Sequence, residues 1–272
     1  EQSKRVLNQT NAELDLLKYE DFKFESFEKF DLEKELSQII GLENVKDFIR
    51  TQYRLLLANE KRRKAGVSVD ATQTLNMIFA GNPGTGKTTI ARVMAKMFKD
   101  MGLLKRGHLV ETDSGGLVAE YVGRTAKKTE ELLRSALGGV LFIDEAYALS
   151  RNSGSFGQEA IDTLVKLIED YRGEIVVILA GYKKEMRDFL KANSGLESRF
   201  PIVIDFPDYT PEELYAIALN MISAKGFTIT EQAKDVLREH IFQAHKTATA
   251  HSGNGRMVRN IVEKILRNQS AR

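Results

Sequence analysis

One octapeptide constrains this chain more than anything else in it. Residues Gly81-Asn82-Pro83-Gly84-Thr85-Gly86-Lys87-Thr88 fit the pattern G-x-x-x-x-G-K-[ST]. An apolar, strand-like run from Leu75 to Ala80 leads into it, and a helical pattern from Thr88 to Asp100 leads out. Glycines let the backbone curl until several N–H groups converge on one point, and the following helix directs the positive end of its dipole there. That combination suits a polyphosphate. Lys87 is placed to reach the β- and γ-phosphates and the Thr88 hydroxyl to ligate Mg2+. With glycine at about 7% of residues, a turn would meet the pattern by accident in roughly one chain in a hundred of this length. The strand-loop-helix setting makes an accident rarer still, so nucleotide binding is the expectation.

A phosphate cradle alone hydrolyses nothing. The missing part is supplied by Gly139-Val140-Leu141-Phe142-Ile143-Asp144-Glu145, an apolar strand that delivers two carboxylates at its end. Asp144 is suited to hold Mg2+ together with Thr88, and Glu145 to polarise the attacking water as general base. Transfer of a γ-phosphoryl group also builds charge that needs cations. Candidates are Arg199, just before the last strand-like run, and Arg256 and Arg259 in a glycine-framed stretch, Gly253 to Asn260. Arg256 stands out by its position at the start of a helical pattern.

Around these motifs the chain alternates. Helical periodicity covers Leu32–Ile39 and Val45–Lys64 and stops at Gly66. Strand signals at 75–80, 108–112, 140–143, 175–180 and 202–206 alternate with helical ones at 88–101, 125–137, 158–171 and 183–191. The strands are Val/Ile/Leu runs without polar alternation, as burial on both faces requires. This order predicts an α/β fold, a doubly wound parallel sheet with ligands at the carboxyl ends of its strands. After Pro207 the strand signals end, and helices at 211–225, 230–247 and 256–268 form an all-helical tail. The expected division is an N-terminal arm, 1–36, a nucleotide-binding domain, 37–207, and a helical domain, 208–272. The arm carries ten acidic against six basic residues, a helix near Arg5–Tyr19 and the phenylalanines Phe22, Phe24, Phe27 and Phe30. Phenylalanines at that density dock on a surface, this molecule's own or a neighbour's. The cluster Lys61-Arg62-Arg63-Lys64 reads as the solvated end of a helix, where cations meet the negative pole of the dipole.

Taken together, the loop at 81–88 followed by Thr89, the strand ending Asp144-Glu145, Ser198-Arg199-Phe200 and the helical tail with Gly255-Arg256 resemble an AAA+ ATPase. Within that superfamily the wording resembles the CbbX/CfxQ and stage V sporulation protein K subfamily. The phrases that carry this are Tyr121-Val122-Gly123-Arg124-Thr125-Ala126-Lys127-Lys128-Thr129, Phe142-Ile143-Asp144-Glu145-Ala146-Tyr147, Leu179-Ala180-Gly181-Tyr182 and Asp205-Phe206-Pro207-Asp208-Tyr209. The likeness runs from about Ile39 to Asn268. It implies a five-stranded parallel core with a helical lid, ring-forming subunits, usually hexamers, and ATP with Mg2+ bound between neighbours. By the same likeness Arg199 is the arginine finger offered to the next subunit and Arg256 the lid arginine that senses the γ-phosphate. Ile40 and Gly41 would pack around adenine. The loop holding Tyr121 and Val122 would face a central channel and grip an extended protein client. One departure stands out: the fourth strand ends Leu179-Ala180-Gly181-Tyr182-Lys183, without the Asn or Thr that usually orients the water. Relatives are associated with Rubisco reactivation, sporulation and specialised secretion, and no residue here selects among these clients.

Composition narrows the field by exclusion. The 272 residues are 42% apolar, enough for a sizeable core. Forty basic against thirty-eight acidic residues leave a formal charge of +2, which is no electrostatic footprint for nucleic acid. Cysteine is absent, which rules out disulfides and thiolate metal sites and fits a reducing compartment. No apolar run approaches the roughly 20 residues of a membrane span, and the charged, polar start does not read as a signal peptide. The expectation is a cytoplasmic motor that remodels or threads proteins. A nucleic-acid motor or loader, or an ATP-gated scaffold with little turnover, are the competing readings. The segment Arg151 to Gly157 is flexible by composition, either a second channel loop or a plain connector.

Overall fold

The structure, a computed structural model, describes residues 30–66, 74–119, 121, 123–151, 154–248 and 253–271. The helix expected near Arg5–Tyr19, the phenylalanines at 22, 24 and 27, and Val122 lie outside the described residues.

Helices α1 (Leu32–Ser37) and α2 (Glu43–Lys64) come first. The α/β part follows as β1 (Met77–Gly81), α3 (Lys87–Asp100), β2 (Leu109–Asp113), α4 (Ser114–Leu117), α5 (Thr125–Ser135) and β3 (Val140–Asp144). It continues through α6 (Ala148–Arg151), α7 (Gly154–Asp170), β4 (Val176–Gly181), α8 (Lys183–Ala192), α9 (Ser194–Glu197) and β5 (Ile202–Phe206). A helical lid closes the chain, with α10 (Pro211–Ala224), α11 (Glu231–Thr247) and α12 (Asn254–Ser270). The five strands form one parallel sheet in the order β2-β3-β4-β1-β5.

The apolar runs sit where their patterns demand. β4, Val-Val-Ile-Leu-Ala-Gly, is buried at every position, and β1 and β3 at every position but the last. The two edge strands alternate instead: Glu111 and Asp113 of β2 and Val203 and Asp205 of β5 are exposed. On one face of the sheet Ile78, Leu141, Ile143, Val177 and Leu179 share a core with Leu133, Leu164, Met186 and Phe189 from the covering helices. Elsewhere in the core Phe79 packs edge-on against Phe142 and at 4.9 Å from the ring of Phe206. These interlocking rings fix the height at which β1 releases the chain into its loop.

Three differences from expectation have physical causes. The segment 151–157 is not a loop throughout: α6 ends at Arg151 and α7 begins at Gly154. Packing of α7 on α5 overrides the Gly/Ser composition, and the Glu159 carboxylate accepts from Ala126 N–H in the first turn of α5 at 3.3 Å. The short helix α4 is capped by Asp113, whose carboxylate accepts from Gly116 N–H at 3.0 Å. Finally, α1 belongs to the folded body, with Leu32 and Leu36 buried and Glu35 paired to Lys96 of α3 at 2.9 Å. The lid helices start on strong signals. Thr210 and Glu213 form a reciprocal capping box with Pro211 in the first turn, and Thr230 caps α11. Among the described residues no helix is long and apolar enough to cross a membrane.

Candidate functional site

A parallel sheet brings all its strand ends to one edge, and the candidate residues gather there. β1 ends at Gly81, beside Phe206 of β5, while Ala80 pairs with Gly181 of β4. On the far side of β4, β3 ends at Asp144. The loop 82–86 turns the chain from β1 into α3, with Gly84 at φ 77° and Gly86 at φ 89°. A side chain is strained in that left-handed region, which is why glycine occupies both corners. Thr85 is fully buried and donates to Asn82 O at 2.8 Å, locking the loop from inside. From outside, the buried Tyr209 hydroxyl donates to Thr85 O at 3.3 Å. Burial pushes that phenol up to about 12, so it stays a donor.

The loop presents donors without acceptors. Among the described residues no backbone carbonyl accepts from the N–H groups of Gly84 or Gly86. The Lys87 ammonium turns back on its own loop, donating to Gly81 O at 2.9 Å and Asn82 O at 2.8 Å. It is 8% exposed, and burial pushes its pKa below the usual lysine range, with Asp144 working against the shift and Arg256 adding to it. A buried cation held by neutral carbonyls beside unfilled N–H groups is suited to an anion.

These donors open into a cleft of about 470 Å3. Gly81, Pro83, Gly84, Gly86, Lys87, Thr88 and Thr89 form its floor. Asp144 and Glu145 line it as well, as do Arg256 and Arg259 of the lid. Glu145 has a left-handed backbone, φ 48°, and its N–H donates to Asp144 Oδ1 at 3.1 Å. The turn thus holds the two acids as a unit, at a cost in strain of about 1–3 kcal/mol that such sites commonly carry. Ile40 lines the cleft with Gln38 and Ile39, and so do Ile217 and Met221 of α10. This apolar end suits an aromatic base. Gly41 is not part of the lining; it packs on the Glu213 carboxylate, which leaves no room for a β-carbon. Asn82 and Thr85 are likewise loop supports that do not line the cleft.

Two predicted residues lie elsewhere. Arg199 lines a separate cavity of about 480 Å3, where it donates to Gly195 O at 3.0 Å and sits 3.7 Å from Glu169. Tyr121 is 66% exposed, in the turn between α4 and α5, with the Arg124 guanidinium 5.7 Å from its ring centre. Tyr182, directly after β4, lines the cleft and packs at a tilt against Tyr147, ring centres 5.9 Å apart. Sequence reasoning missed Asp208, Tyr209 and Asn254 as parts of the site, since their partners are distant in the chain. The Asn82 amide donates to both Asp208 oxygens at 2.9 Å, and Asn254 donates to the same carboxylate at 2.8 Å. The one local signal was an asparagine between glycines at the start of a helical pattern.

The comparisons agree with this architecture. A family model described as ATPase family associated with various cellular activities (AAA) matches residues 77–208, and an AAA lid domain matches 210–272. The chain is similar to stage V sporulation protein K of Bacillus subtilis (strain 168), at 47% identity over 89% of this chain and 76% of that protein. Protein CbbX of Cereibacter sphaeroides is 44% identical over 86% of this chain and 76% of its own length. The chloroplastic ribulose bisphosphate carboxylase/oxygenase activase of Cyanidioschyzon merolae is 43% identical, over 89% of this chain and 81% of that one. Among solved structures, a RuvB mutant of Thermotoga maritima aligns with a TM-score of 0.57 at 23% identity. That alignment covers 87% of this chain and 66% of the RuvB chain, so this chain spans about two thirds of the neighbour's length. At that identity the likeness speaks for the fold alone.

Proposed function

The chain belongs to the ATPase family associated with various cellular activities, in its branch with CbbX, CfxQ and stage V sporulation protein K, and we propose that it is a ring-forming motor that spends ATP on remodelling or threading a protein client. One observation carries the reading. A glycine loop with unfilled N–H donors, a buried lysine, two strand-end carboxylates and a lid arginine converge on a single cleft. In that cleft the loop N–H groups and Lys87 bind the phosphates, and Ile40 with the apolar end receives adenine. Glu145 takes the proton of the attacking water. Arg256 reads the third phosphate from the lid, and Arg199 serves the cleft of the neighbouring subunit.

Magnesium fits the same cleft. Among the described residues no cluster of three or more His, Cys, Asp or Glu could hold a metal by itself. Mg2+ needs none, because it takes one or two protein oxygens and completes its shell with phosphates and water. The Thr88 hydroxyl and the Asp144 carboxylate are those oxygens, and the ion when bound neutralises charge on the β- and γ-phosphates.

Tyr121 supports the client reading. A large ring, two-thirds exposed at a turn followed by Gly123 at φ 75°, is suited to gripping extended polypeptide with little regard for sequence. One homologue is named as an activase of ribulose bisphosphate carboxylase/oxygenase, itself a protein, which argues for a protein client here too. Tyr121→Ala is expected to cut ATPase stimulation by an unfolded model polypeptide at least ~10-fold, as loss of an aromatic anchor does at other binding surfaces. Hydrolysis without polypeptide should persist. Normal stimulation and normal unfolding of a tagged substrate by Tyr121→Ala would refute threading through this loop.

A further inference from the structure

Asp208 stands where three segments meet, and none of the roles above uses it. It follows β5 by two residues, in the link that leads to the lid. Its carboxylate is shared by two amides: Asn82 of the phosphate loop donates to both oxygens at 2.9 Å, and Asn254 at the start of α12 donates to Oδ1 at 2.8 Å. Neither contact is local: 126 residues separate Asn82 from Asp208, and 46 separate Asp208 from Asn254.

Both asparagines have a second attachment that makes the junction directional. The Asn82 carbonyl accepts from the Lys87 ammonium at 2.8 Å and from Thr85 Oγ1 at 2.8 Å. Asn82 therefore touches the phosphate-binding lysine with its backbone and Asp208 with its side chain. On the lid side the Asn254 side-chain oxygen accepts from Tyr209 N–H at 2.9 Å, so both ends of that amide are used. Asn254 is 5% exposed and sits at φ 58°, a left-handed conformation that asparagine tolerates better than most residues. Its side chain fixes the turn from which α12 departs. Directly afterwards Gly255 N–H donates to Gly84 O at 3.0 Å, and a β-carbon at Gly84 would lie 2.8 Å from Arg256 N. The lid helix thus rests on the crown of the loop, and Arg256 is the next residue.

We propose that Asp208 is a positioning residue: by holding Asn82 and Asn254 on one carboxylate it registers the lid helix on the phosphate loop, and so sets whether Arg256 reaches the third phosphate. When Lys87 leaves the Asn82 carbonyl for a phosphate, the loop end of the junction changes, and Asp208 passes that change to α12. This rests on the reading of the cleft as an ATP site.

The test is the ratio of ATP to ADP affinity, measured by equilibrium binding in a Glu145→Gln background so that turnover does not intrude. Only ATP offers Arg256 its third phosphate. Asp208→Asn sets an amide N–H against an amide donor. It is expected to lower the ATP-to-ADP ratio about fivefold, as Arg256→Ala should, with ADP affinity within about twofold of the parent. An unchanged ratio in Asp208→Asn overturns the proposal. So does a parallel loss of both affinities, since a purely structural role would give that result. If Asp208→Asn does not fold, Asn82→Ala cuts the loop end alone and is read by the same criteria. A folded parent that binds neither nucleotide would sink the ATP reading and this inference with it, whereas intact binding with an unmoved ratio sinks the inference alone.

Discussion

Replacing Glu145 by glutamine should lower kcat for ATP about 10^2- to 10^4-fold, the usual contribution of a positioned general base. In barrier terms that is about 3–5 kcal/mol, at roughly 1.4 kcal/mol per tenfold. The substitution keeps the size and the strained turn at φ 48° but removes the basic oxygen. Nucleotide affinity should not fall with turnover if, as proposed, the loop and Lys87 hold the phosphates. The variant should therefore accumulate with ATP in place, as larger assemblies on a sizing column and with undiminished ATP binding by filter or fluorescence assay. Turnover of Glu145→Gln within about threefold of the parent would remove Glu145 from the chemistry and leave the neighbouring tyrosines, Tyr147 and Tyr182, to be tested in its place.

The second large effect concerns a residue outside its own cleft. Arg199 lines a different cavity, held by Gly195 O and near Glu169, so it cannot serve the nucleotide of its own chain from there. If it completes a neighbour's site, Arg199→Ala should lower kcat about 10^3-fold or more, the range for a cationic finger on a transferring phosphoryl group. The decisive feature is recovery on mixing. Arg199→Ala subunits retain Glu145, and Glu145→Gln subunits retain Arg199. In randomly mixed rings about one interface in four joins an intact glutamate to an intact arginine, because contacts in a ring run head to tail. An equimolar mixture of two nearly inactive proteins should thus regain about a quarter of parental turnover. A mixture no more active than its components would confine Arg199 to holding Glu169 and the 194–199 turn in its own chain.

Most of the architecture could be read from residue pattern because the sheet is parallel and central. Unbroken apolar runs such as Val176 to Ala180 have no alternative to burial on both faces, and their spacing with helices leaves little freedom of topology. The two edge strands were misjudged: they were grouped with the runs buried on both faces, although Glu111 in β2 and Asp205 in β5 face outward. The loop and the acid pair were legible for a different reason: their chemistry is contiguous in sequence, so eight residues and seven residues each carry a complete geometric instruction. Composition misled at Gly154 to Gly157, where packing on α5 and the Glu159 contact to Ala126 outweigh poor helix formers. The lid–loop junction was invisible for a third reason. Asp208, Tyr209 and Asn254 look like ordinary turn and cap residues locally, and their meaning arises only when β5 returns beside β1 and brings the link across the phosphate loop. Local pattern records which residue can take an unusual φ, not which distant carboxylate makes it do so.

The claim that the loop at 81–88 and the acids at 144–145 form one magnesium-nucleotide cleft is tested most directly by titration calorimetry of ADP and Mg2+ into the parent and into Lys87→Ala, with thermal unfolding of both proteins in parallel. The account predicts a saturable heat approaching one site per chain in the parent. In Lys87→Ala it predicts that this heat is lost, while the protein unfolds at a similar temperature without ligand. No heat from folded parent protein, or the same isotherm from both proteins, would contradict it.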